Sequence, residues 1–249
     1  MNIRMQRAGI CTYDGSPEQW WLPDGANATM VHMSVFQSLK AALQPHPQST
    51  ALHIPDEITA PAGFEALSLS RLTLDDQKEW NELRWSNREW LSPWESGDPM
   101  HGAGMSFAQW VHHERQGEDA GTGVVFMMRF RGSIVGQLSL GAISYGSMRI
   151  ATLGYWVDQA WAGHGFTPLA VAMASDWAML DPEGPHLHRI EIAILPENRR
   201  SKRVVEKLGL DYEGVRRKYM YINGEWRDHE LYVLSAEAIG ESLTTRLQS

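Results

Sequence analysis

Ala151-Thr152-Leu153-Gly154-Tyr155-Trp156-Val157 runs directly into Asp158-Gln159-Ala160-Trp161-Ala162-Gly163-His164-Gly165, and from Phe166 to Leu180 the chain is then apolar almost all round. The first segment predicts a strand and the last a buried helix. The glycines between them mark the turn that delivers one into the other. Such a junction favours an anion. The first amides of a helix lack partners, and the helix dipole adds roughly half a positive charge there. Gly163 and Gly165 let the main chain approach a phosphate closely and take unusual backbone angles, and Thr167 adds a hydroxyl donor. The plain alternative is a tight strand-to-helix turn with no ligand, and Gly-x-Gly alone does not choose between the two. No lysine follows Gly165, so the Walker arrangement is absent, as is the three-glycine dinucleotide pattern.

Upstream, Phe64 to Ser70 alternates like a half-buried strand. Thr73 with Asp75 and Asp76 opens a helix that runs towards Glu89. Ser106 opens another, to about Gly117. Strands follow over Thr122–Phe130 and Ser133–Ile143, with Arg131-Gly132 as a tight turn, and the strand containing Ala151–Val157 begins near Arg149. Downstream, His188–Leu195 reads as a short apolar strand. Pro196-Glu197-Asn198 opens a helix that ends at Gly209. Two last strands, about 211–222 and 225–234, meet at Asn223-Gly224, a strong hairpin signal. Antiparallel strands, a strand–loop–helix–strand crossover, a helix and a hairpin predict an α/β or α+β fold around one central sheet. Residues 1–60, with proline patches near 22–25 and 44–47 and a helix or a strand and helix over Met30–Leu43, read as an extension packed on that core. Pro55 to Gly63 reads as a linker.

The 249 residues carry a formal charge of −8. That disfavours an electrostatic grip on nucleic acid. It suits a basic partner, or solubility alone. A single cysteine, Cys11, rules out an internal disulfide and fits a cytoplasmic protein. No apolar segment follows Arg4 and Arg7 as a secretory leader would, and no run of eighteen apolar residues spans a membrane. No metal is expected, because His112-His113-Glu114 are adjacent rather than one helical turn apart. Gly-x-Ser-x-Gly is missing too, so a hydrolase elbow has no support. Eleven tryptophans are many for this length, and Trp80, Trp85, Trp90 and Trp94 cluster where core or groove wall is expected.

Five segments form an ordered set: Gly154-Tyr155-Trp156-Val157, Gly163-His164-Gly165, His188-Arg189-Ile190-Glu191, Pro196-Glu197-Asn198-Arg199-Arg200-Ser201, and Glu206-Lys207-Leu208-Gly209. Together they resemble the GNAT acetyltransferases. Asn87-Arg88-Glu89-Trp90-Leu91-Ser92-Pro93-Trp94-Glu95 and Asn223-Gly224-Glu225-Trp226-Arg227-Asp228-His229 narrow the likeness to the RimJ/RimL group, which acetylates N-terminal α-amines of ribosomal proteins. The resemblance covers about residues 64–235. It implies a GNAT domain over 61–249, with a mixed, mostly antiparallel twisted sheet, splayed middle strands and flanking helices. It also implies acetyl-CoA as cofactor, with the pyrophosphate on Gly163, His164, Gly165, Phe166 and Thr167 and the pantetheine arm along Tyr155, Trp156 and Val157. The family's loop often starts with Gln or Arg three residues before the first glycine. Here that residue is Ala160, a minor loss where backbone amides do the binding. The acceptor is a protein N-terminus or a small amine, and the enzyme a monomer or homodimer.

Acetyl transfer needs a neutral amine, a donor for the developing oxyanion and a proton for the departing sulfur. An α-amine with pKa near 8 is about one-tenth neutral at pH 7, whereas a lysine is neutral only to about one part in a few thousand. Glu95 is the candidate base, on the expectation that Pro93-Trp94 sets it in an apolar pocket that raises its pKa, and Trp94 is a candidate acceptor contact. Glu191 is the rival carboxylate. The backbone N–H of Val157 is the candidate oxyanion donor. Many family members carry a tyrosine seven residues after the helix-opening asparagine. Here that position is Val205, so Ser201, at a place where RimJ/RimL-like proteins also have serine, is the candidate thiolate partner. Asn198 caps the helix and touches the cofactor arm. One of Arg199, Arg200, Lys202 and Arg203 meets the 3′-phosphate, or the run is a solvated face. Arg227 and His229, on one face of a strand, line the acceptor cleft or form a cross-strand pair.

Overall fold

The computed structural model describes residues 52–100 and 104–248. Cys11, the two proline patches and Met30–Leu43 lie outside them. Eight strands form one sheet: β1 Glu57–Thr59, β2 Leu67–Arg71, β3 Val124–Phe130, β4 Ser133–Ser144, β5 Ile150–Val157, β6 Arg189–Ile194, β7 Asp211–Ile222 and β8 Glu225–Ser235. Their order is β1-β2-β3-β4-β5-β6-β8-β7. Every neighbouring pair is antiparallel except β5 and β6. Helices α1 Gln77–Ser86, α2 Arg88–Leu91, α3 Phe107–Asp119, α4 Phe166–Leu180, α5 Arg199–Leu208 and α6 Ala236–Ile239 flank it. The hairpins form where the turn residues accept positive φ: Arg131 and Gly132 at 51° and 84°, Asn223 and Gly224 at 48° and 91°.

Two expectations need correction. The segment 55–63 is not a linker throughout, because Glu57–Thr59 pairs with Ser68–Ser70 and adds a strand to the sheet edge. The long helix from Thr73 to Glu89 is interrupted. A 3₁₀ turn at Leu74–Asp76 precedes α1, and Asn87 at φ −97° and ψ 9° separates α1 from α2. Its side chain donates to Leu83 O at 3.0 Å, a local bond that competes with helix continuation.

Alternation sorts the strands' side chains onto two faces. On one, Phe126, Leu138, Leu153, Ile190 and Ile192 pack against Ala170, Ala174 and Trp177 of α4, with Phe126 and Trp177 edge to face at 5.5 Å. The one charged residue of α4, Asp176, accepts from Leu243 N–H and the Ser242 hydroxyl at 2.6 Å each, tying the C-terminal turn to the helix. On the other face, Leu72, Val125, Met127 and Ile134 meet Phe107 and Val111 of α3 and Trp80 of α1.

The site is positioned by a gap in the middle of the sheet. The parallel register of β5 and β6 covers only Ile150–Thr152 with Arg189–Glu191. Beyond it β5 follows β4 to Val157 opposite Gly136, while β6 follows β8 to Ile194 opposite Glu230. The two strands diverge, and the β6-facing edge of residues 153–157 has no partner strand among the described residues.

Candidate active site

The gap opens into a cleft of about 620 Å³. Tyr155, Trp156 and Val157 of β5, the turn at Gly163, Gly165, Phe166 and Thr167, and Asn198 and Ser201 at the start of α5 all line it. So do Trp90 and Trp94 from the far side. Of the four clustered tryptophans, Trp80 is core, Trp90 and Trp94 are cleft wall, and Trp85 is largely exposed.

Strand alternation limits which β5 groups face the cleft. Asp158 N–H donates to Val135 O at 2.8 Å. In an antiparallel pair the bonding residues alternate, so Trp156 also turns its amide towards β4. Tyr155 and Val157 then present theirs to the open side. Consistent with this, Val157 O accepts from Trp90 Nε1 at 3.1 Å, across the cleft wall. Of three residues expected to pair with a pantetheine arm, two offer main-chain groups.

Gly163 and Gly165 have φ of 87° and 82°, the left-handed region that glycine enters at no steric cost. Gly165 is the N-cap of α4. His164 N–H is used within the turn, donating to Trp161 O at 3.3 Å, and His164 does not line the cleft. No described residue accepts from the amides of Gly163, Gly165, Phe166 or Thr167. These four converge at the N-terminus of a fifteen-residue helix, an arrangement that suits a phosphate.

Across the gap, Asn198 Oδ1 caps α5 by accepting from Ser201 N–H at 3.1 Å. The Tyr155 phenol donates to Ser201 O at 3.3 Å, joining the two walls. Burial pushes this phenol well above its usual range, the Ser201 side chain opposing, so it stays protonated. Arg200, Arg203 and Lys207 rim the same cleft, whereas Lys202 is paired with Glu230 at 2.9 Å. Three cationic side chains thus stand at the rim of one cleft on a chain of net charge −8.

The remaining candidates stand elsewhere. Glu95 has no apolar pocket. Its side chain is 46% exposed and ion-paired with Arg84, whose guanidinium lies 5.3 Å from the Trp156 ring. Glu191 is buried at 4% exposure. It is held by Arg189 at 2.8 Å and Arg216 at 2.7 Å and does not line the cleft. Arg227 pairs with Glu197 at 2.5 Å, so it braces the loop before α5. His229 is buried, bonded to Arg227 O at 3.1 Å and edge-on to Tyr219. Burial lowers its proton affinity, partly offset by that hydrogen bond. Alternation placed Arg227 and His229 on one strand face; the tertiary contacts commit one to Glu197 and bury the other, and neither is among the residues lining this cleft. Sequence reasoning missed Asn87 and Arg84. The signal for Asn87 was present as a polar residue inside an otherwise helical run.

Among the described residues no group of side chains could hold a metal ion, and no helix is long and apolar enough to cross a membrane. The model of the acetyltransferase (GNAT) domain family matches residues 66–211. A Bacillus subtilis protein described as probable N-acetyltransferase YjcK is 39% identical over 101 residues, 41% of this chain and 54% of its own length. The ribosomal protein uS5-alanine N-acetyltransferase of Escherichia coli is 33% identical over 102 residues, 41% of this chain and 51% of that protein. The chain thus spans about half the length of the curated relatives it matches. The solved structure of Mycobacterium smegmatis RimJ in complex with CoA-disulfide is similar with a TM-score of 0.70 at 31% identity, covering 78% of this chain and 94% of that one.

Proposed function

This chain belongs to the GNAT acetyltransferases, whose domain model matches residues 66–211, and on that premise we propose that it transfers acetyl from acetyl-CoA to the N-terminal α-amine of a ribosomal or similar protein in the cytoplasm. The observation that carries the reading is the continuity of one cleft: the open edge of β5 leads to four unpartnered amides at Gly163–Thr167, under a cationic rim. The pyrophosphate fits those amides and the pantetheine arm fits the outward groups of Tyr155. The likeness to the uS5-alanine acetyltransferase supports a protein N-terminus as acceptor.

Acetyl-CoA supplies the activated thioester. The chain's residues orient it and manage charge. The amide of Val157 is the donor for the carbonyl oxygen as negative charge develops there. The Ser201 hydroxyl holds a proton for the departing sulfur. Glu95, half exposed and committed to Arg84, is a poor general base. An α-amine titrating near pH 8 arrives sufficiently neutral without one.

Acetyl transfer measured against a panel of N-terminal peptides and small amines tests the acceptor. Labelling of peptides at the α-amine is the expected result, and labelling of small amines alone overturns it. Ser201→Ala is expected to lower kcat by roughly tenfold to a hundredfold with acetyl-CoA affinity unchanged, and a full-rate variant removes the serine from the chemistry.

A further inference from the structure

We propose that Asn87 and Trp90 are positioning residues for acetyl-CoA, forming a clasp that stands in for the neighbouring strand β5 lacks at its open end. The proposal rests on the reading that acetyl-CoA occupies this cleft. Past Thr152, β5 is held by β4 alone, so its outward main-chain groups need other partners or none. Trp90 Nε1 takes the carbonyl of Val157 at 3.1 Å. Asn87, three residues earlier and therefore on the same side of the helical turn, takes the next two residues. Its Nδ2 donates to Asp158 Oδ1 at 2.9 Å and its Oδ1 accepts from Gln159 N–H at 2.8 Å. Asn87 is only 2% exposed, so this amide serves the protein interior.

Three consecutive residues, Val157 to Gln159, are thereby fixed from the α1–α2 corner. The chain from there to Gly163 carries only short-range bonds, Trp161 N–H to Asp158 O at 2.9 Å and Ala162 N–H to Gln159 O at 3.2 Å. The phosphate-facing amides are therefore held between the clasped residues on one side and, on the other, the Trp161 ring packed on Phe130 and on Phe166 at the start of α4. Donors aimed at a charged group lose most of their value when displaced by a fraction of an ångström. Trp90 also reaches the opposite wall, with the Arg200 guanidinium 4.2 Å from its ring centre. By occupying Val157 O, it leaves the Val157 N–H as that residue's group for the ligand.

Trp90→Phe removes the indole N–H while keeping a ring under Arg200, and Asn87→Ala removes both side-chain bonds to the strand end. For each folded variant the expected result is an acetyl-CoA Kd and KM raised about fivefold, together with a fall in kcat because the clasp also sets the Val157 N–H. An unchanged acetyl-CoA Kd in folded Trp90→Phe, or a loss confined to kcat, overturns the clasp. Should Asn87→Ala not fold, Trp90→Phe still decides. Gly165→Asp, assayed in parallel, separates the two levels. If it too binds acetyl-CoA normally, the cleft assignment itself fails. If it loses binding while Trp90→Phe does not, only the clasp fails.

Discussion

Gly165→Asp is expected to weaken acetyl-CoA binding by on the order of a hundredfold while the protein still folds. A Cβ built at Gly165 meets nothing within 4 Å, so the free protein has room for the side chain. The cost in stability comes from φ of 82°. Aspartate tolerates that region better than most residues, at roughly 1 kcal/mol. The cost in binding is electrostatic. A carboxylate about 5 Å from a phosphate charge, at an effective dielectric near 20, repels it by roughly 3 kcal/mol, or about a hundredfold in Kd. Gly165→Asn has nearly the same shape without the charge and should lose much less. Titration calorimetry with acetyl-CoA reads both variants without relying on turnover. Equal affinities for the aspartate and asparagine variants and the parent would mean that no anion sits at this helix terminus.

Glu191→Ala has the largest expected effect on stability. The carboxylate lies between Arg189 and Arg216, linking β6 to β7 across β8. Removing one member of a buried ion pair strands its partners and costs about 3–5 kcal/mol. Arg189 keeps Glu213, and Arg216 is about one-third exposed and keeps Tyr219, so the lower end applies. For a domain of this size about 3 kcal/mol lowers Tm by roughly 6–12 °C. Thermal melts followed by circular dichroism check this. The acetylation rate, measured well below the lowered Tm, should stay close to that of the parent. If turnover collapses while Tm holds, Glu191 belongs to the chemistry instead of the scaffold.

These two positions show where sequence reading works and where it stops. Gly165 was legible as the turn between a strand and a buried helix because its cues are local: strand, paired glycines and apolar helix lie within thirty residues. The hairpins at Arg131-Gly132 and Asn223-Gly224 and the cap at Asn198 were legible for the same reason. Glu191 alternates with Ile190 and Ile192 in a way that marks a strand facing two environments. That pattern cannot tell a cleft from a pair of arginines, one of them twenty-five residues away. Glu95 is not the buried carboxylate its neighbours suggested for the same reason, since its environment is set by Arg84 of α1. His164 sits in the middle of the turn motif, yet its amide is spent on Trp161, because only the folded turn decides which N–H groups point outward.

Most of the order of strands and helices, the strand–glycine–helix turn and the family were therefore written in short-range patterns of apolarity, glycine and capping residues. Which carboxylates are free, which amides of β5 face the gap, and how Asn87 and Trp90 brace that strand were decided only by the tertiary structure. Each depends on groups distant along the chain meeting where two strands part, and the energy of those meetings has no counterpart in any one segment.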